Sequence, residues 1–131
     1  MIGIDTNVLV RYFIEDDPAQ SHLTDSFFNS LSNAEPGWIS QATILEFVWI
    51  MKSVRRLDRK IIATMLGRLT TLDSIVVERA EIVDKALQRY RDGKADFADC
   101  LIAVSARAAG CSKTVTFDRV AARDADMELL A

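Results

Sequence analysis

The sequence predicts a three-layer α/β/α domain, Rossmann-like and built around a short parallel sheet of four or five strands. Short apolar segments alternate with helical patterns, which is typical of parallel strands joined by crossover helices. Hydrophobic residues make up 50% of the chain and charged residues 27%, as in folded globular proteins. No repeat, linker or low-complexity tract divides the sequence, so we expect a single domain over residues 1–131.

Turn residues and helix caps set the order of the elements. The predicted strands are residues 1–4, 38–40, 74–77, 114–117 and 127–130. The predicted helices are a short one after residue 7 and longer ones at about residues 18–31, 41–55, 57–72, 78–91 and 96–109.

Each boundary depends on a local signal. The turn-forming residues 5–7 end the first strand, which we expect to be buried. Asp17 as N-cap and Pro18 at the first helical position begin the second helix. The breaker at residues 33–37 separates that helix from the second strand, and Gly110 ends the last long helix.

Acidic residues are predicted to gather at the carboxyl edge of the sheet, where such folds bind ligands. Asp5 follows the first strand and Asp118 follows the fourth. The last long helix feeds the fourth strand through a short link, so it must run antiparallel beside it. Asp96 and Asp99, at its start, then come level with Asp118. Glu46 lies in the first turns of the helix that leaves the second strand.

Each acid also has a structural explanation. Asp5, Asp96 and Asp118 stand at helix starts, where aspartate is a preferred cap. Glu46 belongs to no evident solvated stripe, so we expect it to be buried and either to be protonated or to bind a cation, since no Lys or Arg lies within residues 41–51. Together the acids would repel one another unless a cation neutralised them. An all-carboxylate cluster suits Mg²⁺ or Mn²⁺, which can hold a phosphate oxygen and activate water.

Charge and cysteine usage exclude several classes of function. The net charge is -3, so nucleic-acid contact must be local, metal-assisted or supplied by a partner. Cys100 and Cys111 form no metal or disulfide pattern and are expected to be buried in a reducing compartment. His22 has no neighbour at ligand spacing, which argues against zinc. No apolar run is long enough to span a bilayer, and we expect a cytoplasmic protein.

Two surfaces have alternative interpretations. The apolar run at residues 47–51 exceeds one buried face, so part of it either packs in the core or meets a partner. Basic residues follow in the next helices, namely Arg55, Arg56, Arg59, Lys60 and Arg68. They either guide a phosphate backbone or form a solvated helix face.

Four segments of the chain resemble the PIN-domain family and, within it, the VapC-type toxins. They are Ile-Asp-Thr-Asn at residues 4–7, Thr-Ile-Leu-Glu at 43–46, the acidic helix start at 96–103, and Thr-Phe-Asp-Arg at 116–119. They occur in the family's order, and the resemblance covers essentially the whole chain. The chain departs from the family at residues 120–126, where relatives often have a larger apolar residue and a glycine turn.

The resemblance implies roles for these residues. Asp5 and Asp99 resemble the principal metal ligands, and Glu46 and Asp118 resemble the acids that complete the catalytic cluster. The resemblance assigns supporting roles to Thr6, Asn7, Asp96 and Thr116. It further implies a Mg²⁺-dependent endoribonuclease that acts on RNA as a homodimer. A cognate VapB-like antitoxin would inhibit it near the active site and provide any contact with DNA.

Two other functions remain as alternatives. An aspartyl-phosphate phosphotransferase would also place carboxylates and Mg²⁺ at this edge. Haloacid-dehalogenase-like enzymes, however, have a second Asp where this chain has Asn7, and the acid pattern of a receiver-like domain is missing. The second alternative is a catalytically inactive PIN-fold binding module that pairs with an antitoxin. Metal-dependent RNA cleavage by the purified protein separates these alternatives from the nuclease.

Overall fold

A computed structural model describes all 131 residues as helices around short parallel strands. The strands are β1 (Ile2–Gly3), β2 (Gly37–Ile39), β3 (Ile75–Val77), β4 (Val115–Thr116) and β5 (Glu128–Leu129). The helices are α1 (Thr6–Phe13), α2 (Pro18–Ser30), α3 (Gln41–Trp49), α4 (Arg59–Thr71), α5 (Ala80–Asp92), α6 (Phe97–Ala108) and α7 (Arg119–Asp124). A π-helical turn, Ile50–Val54, continues α3. The alternation confirms the predicted α/β/α class.

Side-chain caps explain where three helices begin. The Asp17 carboxylate accepts the backbone N–H of Gln20 at 3.1 Å and starts α2, as predicted. The Asp58 carboxylate accepts the backbone N–H of Ile61 at 2.9 Å and starts α4. The Ser40 hydroxyl accepts the N–H of Thr43 at 3.0 Å and starts α3. Local chemistry thus determines these boundaries.

All pairings between strands are parallel, but the strands form two sheets. The first has the order β1-β2-β3, with Ile2 opposite Gly37 and Gly37 opposite Ile75. The second contains only β4 and β5. The expectation of one sheet of four or five strands is therefore wrong. Strands β1 and β4 are only two residues long and have few backbone groups to share. Those of β1 bond to β2 and those of β4 bond to β5, so no hydrogen bonds join β1 to β4.

The hydrophobic core lies between the first sheet and the long helices. Its largest fully buried side chains are Leu9, Ile39, Ile44, Phe47, Met51, Ile62, Leu66, Leu69, Val83, Phe97 and Cys100. The apolar run at 47–51 is divided, because Phe47 and Met51 are fully buried whereas Trp49 is 60% exposed. No helix is long and apolar enough to cross a membrane.

Three further expectations need correction. The first strand is not buried: Ile2 is exposed, and only Ile4, just beyond the strand, enters the core. Of the cysteines, Cys100 is buried and burial raises the pKa of its thiol, but Cys111 is exposed in the loop after α6. Helix α7 was not predicted, although its cap, Asp118, was expected at a helix start.

Candidate active site

Two of the predicted acids follow strands and cap the next helix. Asp5 lies two residues after β1, and its carboxylate accepts the adjacent N–H of Thr6 at 2.8 Å. Asp118 lies two residues after β4, and its carboxylate accepts the N–H of Ala121 at 2.9 Å. Both side chains are exposed and form no ion pair. Capping thus uses one oxygen of each carboxylate and leaves their charge uncompensated.

Helix α6 begins with two acids in different environments. Asp96 is the N-cap residue, yet its side chain makes no capping bond and pairs instead with Lys52. Asp99 lies in the first turn, is half-buried, and has no hydrogen bond or ion pair. Burial raises the pKa of Asp99, and the charges of Asp96 and Asp118 raise it further against the opposing effect of Lys52. Asp99 is therefore within electrostatic range of both Asp96 and Asp118.

Glu46 is exposed on α3, so the expectation that it would be buried is wrong. It shares an exposed face of the helix with Ala42 and Trp49, whereas Phe47 and Val48 point into the core. Helical spacing could not identify the solvent side, because Ala42 and Trp49 are not polar. The carboxylate of Glu46 forms no ion pair.

The chemistry of the predicted acids suits a hard divalent cation. Four of the five lack an ion-pair partner, namely Asp5, Glu46, Asp99 and Asp118. Mutually repelling carboxylates without compensating cations favour Mg²⁺ or Mn²⁺, which prefer oxygen ligands. No three acidic, His or Cys side chains are already spaced to hold a metal. Their chemistry nevertheless fits the ion, since every one of these side chains is an oxygen donor.

The predicted supporting residues differ in what they contact. The Thr116 hydroxyl accepts the backbone N–H of Asp118 at 3.0 Å and so orients the turn between β4 and α7. Thr6 is buried, and its N–H is the donor to Asp5. Asn7 is exposed in a cleft between α1 and α2.

The basic residues for which phosphate guidance and a solvated helix face were the two alternatives mostly contact other parts of the protein. Arg55 pairs with Asp16 at 2.9 Å, and the Arg68 guanidinium lies 5.4 Å from the ring centre of Phe13. Arg59 donates hydrogen bonds to two backbone carbonyls. Those three side chains therefore have structural roles. Arg56 and Lys60 form no ion pair with a carboxylate.

Lys52 is a residue of this region that sequence reasoning did not identify. It lies in the π-helical turn after α3 and contacts Asp96, a residue 44 positions later. Nothing in its local sequence indicates that partner. One sequence signal could have identified Lys52. It is the first basic residue after 41–51, the segment that contains no counter-charge for Glu46.

Comparison with known proteins identifies one family. The family described as PIN domain matches residues 2–126, which is nearly the whole chain. No curated protein matches the chain.

Proposed function

The chain belongs to the PIN-domain family, whose members are generally Mg²⁺-dependent nucleases, and we propose that it is an endoribonuclease toxin of a VapBC-like toxin–antitoxin pair. The observation that carries the proposed activity is Asp99. This carboxylate is half-buried without a hydrogen bond or ion pair, and burial, followed by the charges of Asp96 and Asp118, raises its pKa. Such a group is stabilised by a bound cation.

Asp5 and Asp99 would hold the metal, which when bound neutralises the phosphate and lowers the pKa of a water molecule. Glu46 and Asp118 provide free carboxylate oxygens that accept hydrogen bonds from the attacking water. Thr116 keeps the Asp118 turn in place through its 3.0 Å hydrogen bond. In the reaction, the water oxygen would bond to phosphorus and give up one proton while the bond to the leaving oxygen breaks, and the leaving oxygen would take up a proton, so that one water is added overall.

The toxin role is supported by the resemblance of four segments to VapC-type toxins. This resemblance implies a homodimer in the cytoplasm, a cognate VapB-like antitoxin as inhibitor, and DNA contact only through that antitoxin. Expression without the antitoxin should arrest growth, and co-expression of a small protein encoded next to it should restore growth. Normal growth with folded, RNA-cleaving protein in the cell would favour a housekeeping nuclease.

Metal-dependent cleavage of RNA tests the activity. We expect the purified protein to cut single-stranded RNA with Mg²⁺ or Mn²⁺ and to stop in excess EDTA. An Asp99→Asn variant purified in parallel controls for contaminating nuclease. Cleavage that persists in EDTA would contradict the proposed chemistry. Folded wild-type protein that never cleaves RNA but binds an antitoxin would support the inactive binding module instead.

A further inference from the structure

A pocket of about 510 Å³ lies beside the acidic residues, between α3 with its π-helical turn, α4 and the start of α6. Asp96 is part of its wall, and the same residue pairs with Lys52 and is the N-cap of α6, whose first turn contains Asp99. Small-molecule sites occupy roughly 300–1,000 Å³, so the pocket has the size of a ligand site. It adjoins the proposed reaction site through Asp96, and its other lining residues lie outside that site.

Trp49 is the exposed aromatic side chain of this pocket. It is 60% exposed and follows Glu46 by nearly one helical turn, so both side chains lie on the same solvent-facing side of α3. Its neighbours Leu45 and Val48 are more deeply buried and form the apolar floor. The indole therefore presents a flat apolar surface next to Glu46, one of the proposed catalytic acids.

The pocket has an excess of positive charge, and one of its cations is free. Its charged residues are Lys52, Arg59, Lys94 and Asp96. Lys52 pairs with Asp96. Arg59 donates to two backbone carbonyls at 2.6 to 3.0 Å and stacks 3.8 Å above the ring of Tyr90, so it builds the wall. Lys94 is exposed and forms no ion pair, which leaves it available to an anionic ligand.

We propose that this pocket binds an unpaired nucleobase of single-stranded RNA next to the cleaved bond, with Trp49 stacking on the base and Lys94 contacting a backbone phosphate. The proposal rests on the proposed nuclease function and names its substrate class. An aromatic platform beside a free cation is the combination that binds single strands, because every base has a π face and the backbone is anionic.

The pocket selects against duplex RNA. A base within a duplex is already stacked and paired, so it cannot enter the pocket without being extruded, whereas bases in loops and single strands are accessible. The cleaved bonds should therefore lie beside unpaired bases.

Binding without cleavage provides the first test. A single-stranded RNA hexamer and a blunt RNA duplex are titrated against the protein in EDTA while tryptophan fluorescence is recorded. The hexamer should quench the fluorescence and the duplex should not. Trp49→Phe, which leaves Trp38 as the sole tryptophan, should lose the quenching but keep most of the affinity measured by anisotropy.

Substitutions provide the second test. Trp49→Ala should weaken hexamer binding roughly ten- to a hundred-fold, the range for loss of one base–aromatic stack. Lys94→Ala should lower the slope of log affinity against log salt by about one. Leu23→Ala, which removes a 68% exposed apolar side chain from α2, is the matched control and should bind like the wild type. Thermal melting verifies that each variant is folded.

Each outcome decides the proposal. Wild-type affinity and cut sites in Trp49→Ala would overturn it while leaving the nuclease activity intact. If the wild type dimerises and Trp49→Ala becomes monomeric by light scattering, the pocket is a contact between copies and the proposal is likewise wrong. If Trp49-dependent binding occurs but Mg²⁺ never yields cleavage, the pocket assignment stands and the proposed hydrolysis fails.

Discussion

Replacing Asp99 with asparagine separates a metal ligand from a structural carboxylate. The side chain makes no hydrogen bond and no ion pair, so an amide of nearly the same shape disrupts no contact. The substitution removes only the charge that would hold the metal. Because residues that merely orient ligands contribute about 10- to 100-fold, we expect loss of a ligand to reduce cleavage by more than ~100-fold.

The same substitution should slightly stabilise the metal-free protein. Burial and the charges of Asp96 and Asp118 raise the pKa of Asp99, so its ionised form is disfavoured in the folded state at neutral pH. An opposing effect is the loss of a negative charge near the N-terminus of α6, which costs about 0.3–1 kcal/mol. The raised pKa of Asp99 indicates that relief of the disfavoured carboxylate charge outweighs the loss at the helix N-terminus. Since the group is partly solvated, we expect a net gain of no more than about 0.5 kcal/mol, or roughly 2 °C in melting temperature.

The assay combines RNA cleavage with thermal melting, each with and without Mg²⁺. Mg²⁺ should raise the melting temperature of the wild type and not that of Asp99→Asn, because a ligand stabilises only the state it binds. Asp58→Asn is the matched control, since Asp58 is an N-cap whose 2.9 Å hydrogen bond asparagine can replace. That control should keep both activity and stability. Near-wild-type cleavage by Asp99→Asn would refute the reasoning.

Two further predictions concern stability. Leu66→Ala removes a fully buried side chain from α4 and should lower the free energy of unfolding by about 3 kcal/mol in urea titrations, whereas Ile61→Ala, at a 44% exposed position on the same helix, should cost less than about 1 kcal/mol. Equal losses in the two variants would contradict the assigned core. The second prediction concerns Asp124, whose pKa is lowered by hydrogen bonds from the Arg123 side chain and the backbone N–H of Lys94. A lowered carboxyl pKa stabilises the fold at neutral pH, and that contribution disappears as the pH falls below about 4. The melting temperature of Asp124→Ala should therefore lie below that of the wild type at pH 7 and approach it in acid. A difference independent of pH would show that the charge has no role.

The sequence by itself determined the features that depend on neighbouring residues. The caps at Asp17 and Asp58 act within three residues, so the starts of α2 and α4 follow from local chemistry. The alternation of strands and helices also follows from local sequence patterns, and it indicated the α/β/α class. Asp5 and Asp118 follow strands and begin helices, as their local sequence indicated. That the acids form one cluster stays a prediction.

Tertiary packing decided what depends on residues far apart in the chain. The solvent-facing side of α3, which exposes Glu46 and Trp49, follows from which face the core accepts. The pairing of Lys52 with Asp96 joins positions 44 residues apart. The separation of β4 and β5 from the first sheet depends on which backbone groups find partners in three dimensions. Periodicity shows how side chains repeat along one element. Which face is buried and which residues pair depends on the free energy of contacts between elements, and those contacts form only when the elements pack together.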